Sequence, residues 1–213
     1  MHEWGQMRQR GTAGLFQYWN KLRDGRPAPR RTEIEPADIK SMLADTFILE
    51  RDLRGDAVFR LAGTRLCATF GRELKGFAFT SLWTHADQPK AARLALGTLL
   101  EKSVTVTTLL GTTESGRSLD FELLLLPLEG GAENPRAMGS LCPAEKPYWL
   151  GAEPIVQCRV DGIRTIDPDR EPLQGEGMMQ VDAPPLAPGQ ATLAGTPARR
   201  FRHLVVIEGG RNR

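Results

Sequence analysis

The stretch Arg117–Leu128 constrains this chain most, because its two faces change character along its length. Successive side chains of a strand point to opposite sides. Leu119, Phe121, Leu123 and Leu125 therefore share one face, while the other carries Asp120 and Glu122 first and then Leu124 and Leu126. The first face needs a core. The second needs a cover over its later half. A helix near the N-terminus is the candidate cover: Thr12 can cap it and Gly25 stops it after about Asp24. Leu15, Tyr18, Trp19 and Leu22 recur at helical spacing, and Phe16 widens the stripe. That surface packs on the chain's own sheet or on a second copy of the chain. Leu15, Phe16, Trp19 and Leu22 are accordingly the candidate interface.

The remaining elements follow in order. Gly25–Arg31 holds two prolines and reads as a stiff, basic, extended connector. Pro36 suits the first turn of a second helix, with Ile39, Met42 and Leu43 as its buried edge. Thr46–Glu50 and Val58–Ala62 read as a hairpin turning at Asp52–Asp56. A short helix at Arg65–Phe70 and an aromatic landing at Phe77, Phe79 and Trp83 come next. A longer helix begins near Asp87, capped by Asp87 or Thr84, with Ala91, Leu94, Ala95 and Leu99 on its apolar face. Ser103–Gly111 and Arg136–Cys142 are strands on either side of Arg117–Leu128, and Cys158–Ile166 is a candidate added strand. Two strands before the helices and three after predict an α+β fold: a five-stranded antiparallel sheet with helices across one face, plus an N-terminal helical extension.

Charge and composition narrow the function classes. The net charge of +2 is unevenly spread: residues 1–31 balance at +5, residues 196–213 at +4, and the body at −7. Such ends are solubilising termini or touch an anionic partner. Ten of the thirty residues from Pro168 to Pro197 are Gly or Pro, so the packed domain is expected to end near Asp167. The organisation expected is 1–35 helix and connector, 36–145 the main domain, 146–167 the possible added strand, and 168–213 linker and basic tail, partly disordered. The start, Met1–Gly11, has no apolar signal-peptide core, and Leu123–Leu126 falls far short of the ~20 residues of a spanning helix, so a cytoplasmic chain is expected.

The residues go further than the element order. Leu15–Ile39 (LFQYWNKLRDGRPAPRRTEIEPADI), Phe59–Gly76 (FRLAGTRLCATFGRELKG) and Ser81–Trp83 together resemble a PAS-domain family of alphaproteobacteria, mostly single-domain proteins of unknown function. The resemblance covers about residues 12–145. It implies a cytoplasmic signalling module, often a stand-alone domain, linked to regulation, not catalysis. It also implies a chamber between the concave sheet face and the short helices, lined by Phe59, Leu61, Leu66, Phe70, Leu74, Phe77, Leu82, Trp83, Leu96, Leu100 and Phe121. Those side chains form either a site for a flat apolar ligand or a solid core. One departure is visible: Glu33-Ile34-Glu35-Pro36 stands where the family tends to have aspartates, and glutamate caps a helix less well.

Specific chemistries find few parts. Haem needs an axial ligand, and His85, the histidine inside the core segment, sits where a surface role is expected. Cys67 lies in Arg-Leu-Cys-Ala-Thr, which is not a covalent flavin motif. Cys67, Cys142 and Cys158 show no metal-ligand spacing and read as small buried hydrophobes. Arg26 and Arg30 make an RxxxR pair as in PilZ-type binders of cyclic di-GMP, but Thr113–Gly116 does not supply the second half of that signature. Gly175-x-Gly177 lacks a third glycine, and no GxSxG or Walker sequence occurs. The sequence requires no cofactor and no metal and carries no nucleic-acid motif. The function expected is a non-enzymatic regulatory module acting through protein–protein contact or homodimerisation. The alternative is a small-molecule sensor with an apolar pocket, and a third reading is an adaptor binding membrane or nucleic acid through the basic ends.

Overall fold

A computed structural model describes residues 7–130 and 135–170, together with the backbone of 200–201 and 204–205. Its centre is a six-stranded antiparallel sheet in the order β2-β1-β5-β4-β3-β6. The strands are β1 (Thr46–Arg51), β2 (Ala57–Ala62), β3 (Val104–Thr113), β4 (Ser118–Leu128), β5 (Arg136–Pro143) and β6 (Ile155–Ile166). The sixth strand is the added one expected at Cys158–Ile166, starting three residues earlier and pairing along the whole of β3. The basic tail expected at 168–213 lies largely outside the described residues. Its small ladder of Arg200–Phe201 with Leu204–Val205 belongs to a separate unit.

The inner sheet face carries α2 (Thr64–Thr69), a 3-10 turn at Phe79–Leu82 and α3 (Gln88–Glu101). The outer face carries α1 (Arg10–Arg23). Each face has its own core. Phe47, Phe59, Leu66, Leu74, Phe79, Leu99, Leu109, Phe121, Leu123 and Leu125 meet on the inner side. Leu15, Phe16, Trp19, Ile34, Ile39, Ile48, Leu124, Leu126 and Leu128 meet on the outer side. The alternation of β4 is thus divided between two cores, and the N-terminal helix covers its second face as the pattern required. Trp19 fixes that docking by donating its indole N–H to the Pro127 carbonyl at 2.8 Å.

Three local expectations change. The first helix begins at Arg10, ahead of Thr12, which lies buried inside it. Its start is satisfied from the sheet: the Glu122 carboxylate accepts the backbone N–H groups of Arg8 (2.9 Å) and Gln9 (3.0 Å). The helix expected from Pro36 is a run of turns ending in a 3-10 turn at Leu43–Asp45. Its closures are mostly three-residue ones, Asp38 N–H to Glu35 O and Met42 N–H to Ile39 O, with a single four-residue closure from Leu43 N–H to Ile39 O. Burial of Ile39 sets the path of this segment. At α3, neither Thr84 nor Asp87 gives a side-chain cap. Asp87 turns to β6, accepting from Val160 N–H at 3.0 Å and from Lys90 Nζ at 2.7 Å.

Candidate functional site

Four aromatic rings occupy the space between the inner sheet face and the short helices. Phe47 from β1 and Phe59 from β2 meet edge to face with centroids 5.5 Å apart. Phe79 packs on both at 6.2 and 5.8 Å, and Trp83 extends the cluster from Phe79 at 5.7 Å. Phe47 reaches this position because Gly139 faces it across the β1–β5 ladder: a Cβ on Gly139 would lie 2.3 Å from the Phe47 Cζ atom. The rings, with Leu66, Phe70, Leu82, Leu109, Leu123, Leu141 and Cys158, enclose a cavity of about 10 Å³. A water molecule needs at least that much room, so no flat organic ligand fits while the rings hold these positions. The indole Nε1 of Trp83 is buried and finds no acceptor among the described residues.

The chamber expected from the sequence is therefore partly reproduced. Phe59, Leu66, Phe70, Leu82 and Trp83 line the cavity. Leu74 and Phe121 are buried in the same core without lining it, and Leu96 packs at its margin. Leu61, Phe77 and Leu100 are not part of it: they are 51%, 44% and 51% exposed. For Leu61 the reason is a bulge. The β1–β2 register pairs Leu49 with Phe59 but Ile48 with Leu61, leaving Arg60 as the extra residue. Beyond a bulge the alternation reverses, so Leu61 joins Ile48 on the outer face. Phe77 stays outside under the Arg72 guanidinium, 4.9 Å from its ring centre. Leu100 lies on the side of α3 turned away from Ala91 and Ala95.

Phe47, Phe79, Leu109, Leu123, Leu141 and Cys158 also line the cavity and were absent from the expected set. Two of these had a visible signal: Phe47 is an aromatic at the start of the hairpin, and Phe79 belongs to the aromatic landing with Phe77 and Trp83. Cys158 had none, since its place depends on β6 running beside Trp83, where the Thr84 N–H donates to the Cys158 carbonyl at 2.9 Å. Burial pushes the Cys158 thiol up to about 12.

The candidate interface residues are committed within the chain. Leu15, Phe16 and Trp19 are fully buried on the chain's own sheet and Leu22 is half-buried, so this stripe offers no open face to a second copy. The RxxxR pair is divided as well. Arg26 pairs with Glu33 at 3.0 Å and donates to the Leu22 and Arg23 carbonyls. Glu33, which also accepts the Arg30 backbone N–H at 2.7 Å, is held below the usual carboxylate range, first by that N–H and then by Arg26. The longer glutamate side chain thus closes a 3-10 turn, Arg31–Glu33, in place of a helix cap. His85 is exposed to solvent.

The sequence pattern of the PAS domain family matches residues 7–142, well over half of the chain. The chain belongs to the PAS domain family. The match takes in α1 and five strands of the sheet, and β6 lies beyond it. PAS domains are typically sensory modules, and the chamber described above is this one's inner core. A solved structure of a point variant of RsLOV is similar at 17% identity and a TM-score of 0.36, over 51% of this chain. The chain spans 65% of that structure's length, just under two thirds, and a likeness this distant carries no argument about ligand or mechanism. No curated protein matches the chain in sequence. No helix among the described residues is long and apolar enough to cross a membrane.

Proposed function

We propose that this PAS domain is a non-enzymatic sensory or regulatory module of the cytoplasm that acts through contact with a signalling protein. The observation that carries this reading is the filled chamber. Aromatic rings leave about 10 Å³ where a PAS ligand site would need hundreds. A solid inner core makes the domain a rigid body whose output is its surface. Homodimerisation, if it forms part of that output, uses a surface other than the stripe of Leu15, Phe16 and Trp19, which is consumed in cis.

A second reading, a small-molecule sensor with an apolar pocket, draws on one observation. The Trp83 N–H is buried without an acceptor among the described residues, beside a cavity that Trp83 itself lines. Buried donors are normally paired, and a ligand bearing one acceptor atom would pair this one. Native mass spectrometry with an absorption spectrum, on the full chain purified without denaturant, separates the two. The first reading expects the bare mass or a whole multiple of it, and no chromophore. A stoichiometric added mass that disappears in Leu66→Trp, which fills the chamber, would overturn it in favour of the second.

A further inference from the structure

A cavity larger than the aromatic chamber lies on the other side of the sheet. It is an open groove of about 180 Å³ between the turns of residues 31–43 and the outer face of β1 and β2. Its walls are apolar: Ile34, Ile39, Leu43, Ile48 and Leu61. Two of them, Leu43 and Leu61, are large hydrophobic side chains left substantially open to solvent. The groove exists because of two backbone features. The bulge at Arg60 turns Leu61 outward. Gly63 lets the end of β2 pass close under the 3-10 turn, where a Cβ would come within 2.2 Å of the Leu43 carbonyl oxygen.

One charge belongs to this groove. Arg31 is half-buried in its lining, and its backbone N–H is pinned to the Glu129 carbonyl at 3.0 Å. Its guanidinium has no carboxylate or carbonyl partner among the described residues. Of the acids on the flanking segments, Glu33 pairs with Arg26, Asp45 with Arg65 and Glu50 with Arg60, while Glu35, Asp38 and Glu129 are exposed to solvent. A half-buried guanidinium favours an anion that can accept from its planar fork, and a carboxylate matches that geometry.

We infer that this groove binds a small monocarboxylate with a short apolar tail, the carboxylate on Arg31 and the tail over Leu43 and Leu61. Size and charge together select that class. An apolar cavity of about 150 Å³ accommodates a benzene-sized group, so the tail is of that order and a full lipid chain is too long. The site is separate from the aromatic chamber, and the inference does not rest on whether that chamber takes a ligand.

The test is a titration of the full ¹⁵N-labelled chain with hexanoate, with hexylammonium and hexanol as controls, read by backbone amide shifts. Hexanoate is expected to give saturable shifts confined to residues 31–48 and 61–63, with a Kd of about 1 mM or tighter. Hexylammonium should bind at least about tenfold more weakly, and Arg31→Gln should weaken hexanoate by about the same factor. Leu61→Asp places a fixed carboxylate in the groove and should abolish binding. Leu61 is exposed and Arg31 only half-buried, so both variants should fold, which thermal denaturation verifies. If Leu61→Asp fails to fold, Arg31→Gln decides alone. No saturable shifts with hexanoate, equal shifts with hexylammonium, shifts centred elsewhere, or indifference to Arg31→Gln would each overturn the assignment.

Discussion

Gly139 and Phe47 show how one missing side chain shapes the chamber. The Phe47 ring lies where a Cβ on Gly139 would be, and the Leu124 carbonyl stands 2.6 Å from the same point. Gly139→Ala should therefore displace the ring or strain the sheet, at about 1–3 kcal/mol. Urea denaturation of the variant should show that loss, and an unchanged midpoint would mean that Phe47 moves freely. The cysteines give a second residue-scale expectation. All three thiols are raised, chiefly by burial, with Cys158 at about 12. Cys67 alone of the three is half-exposed. Iodoacetamide on the native protein at about pH 8 should label Cys67 and spare Cys142 and Cys158, because the thiolate is the reacting form. Peptide mapping reads the order, and early labelling of Cys158 would mean that β6 opens readily.

At the scale of elements, α1 and β6 each carry a side-chain anchor, beside the Glu122 contacts at the start of α1 and the β3–β6 ladder. Trp19 gives α1 both its largest buried ring and its bond to Pro127. Trp19→Ala should cost about 3–5 kcal/mol. Trp19→Phe keeps an aromatic ring but loses the buried bond, at about 1 kcal/mol on top of the volume lost. Chemical denaturation of the two variants separates packing from bonding. Asp87 plays the corresponding role between α3 and β6. Its carboxyl is held below the usual range, first by the bonded Lys90 ammonium and then by the Val160 N–H and the Thr84 hydroxyl. A carboxyl whose folded value lies below its unfolded value stabilises above the unfolded value, about 3.9, and loses that contribution as pH falls through the folded value. Wild type should thus exceed Asp87→Asn in stability at neutral pH, with the gap closing as pH falls below that unfolded value. A gap that stayed constant into acid would remove the charge from the explanation.

For the molecule as a whole, two cores on one sheet make the N-terminal helix part of the domain. Removing residues 1–24 would uncover Ile48, Leu124, Leu126, Leu128 and Met138, a contiguous apolar face. The truncated chain should self-associate or precipitate, because exposed patches of that kind seek a cover. Sedimentation velocity at matched concentration would show it. A well-folded truncated monomer would mean that α1 is an accessory that can leave, and would reopen its apolar stripe as a contact surface.

Periodicity alone determined a good deal of this protein. The split alternation of β4 called for a cover on its second face, the helical stripe around Trp19 named that cover, and the order of strands and helices called for an antiparallel sheet with helices across it. These features are local, since each reads off side chains within one element. What only the tertiary structure decided are the properties that depend on two distant segments meeting. The bulge at Arg60 is a matter of β1–β2 register, and it moved Leu61 from the chamber to the outer groove. Glu122 caps a helix more than a hundred residues away. Gly139 makes room for Phe47, and Cys158 closes a cavity first met at Phe59. Whether a chamber is filled or open is set by how side chains from separate strands share one volume, and no window along the sequence contains that quantity.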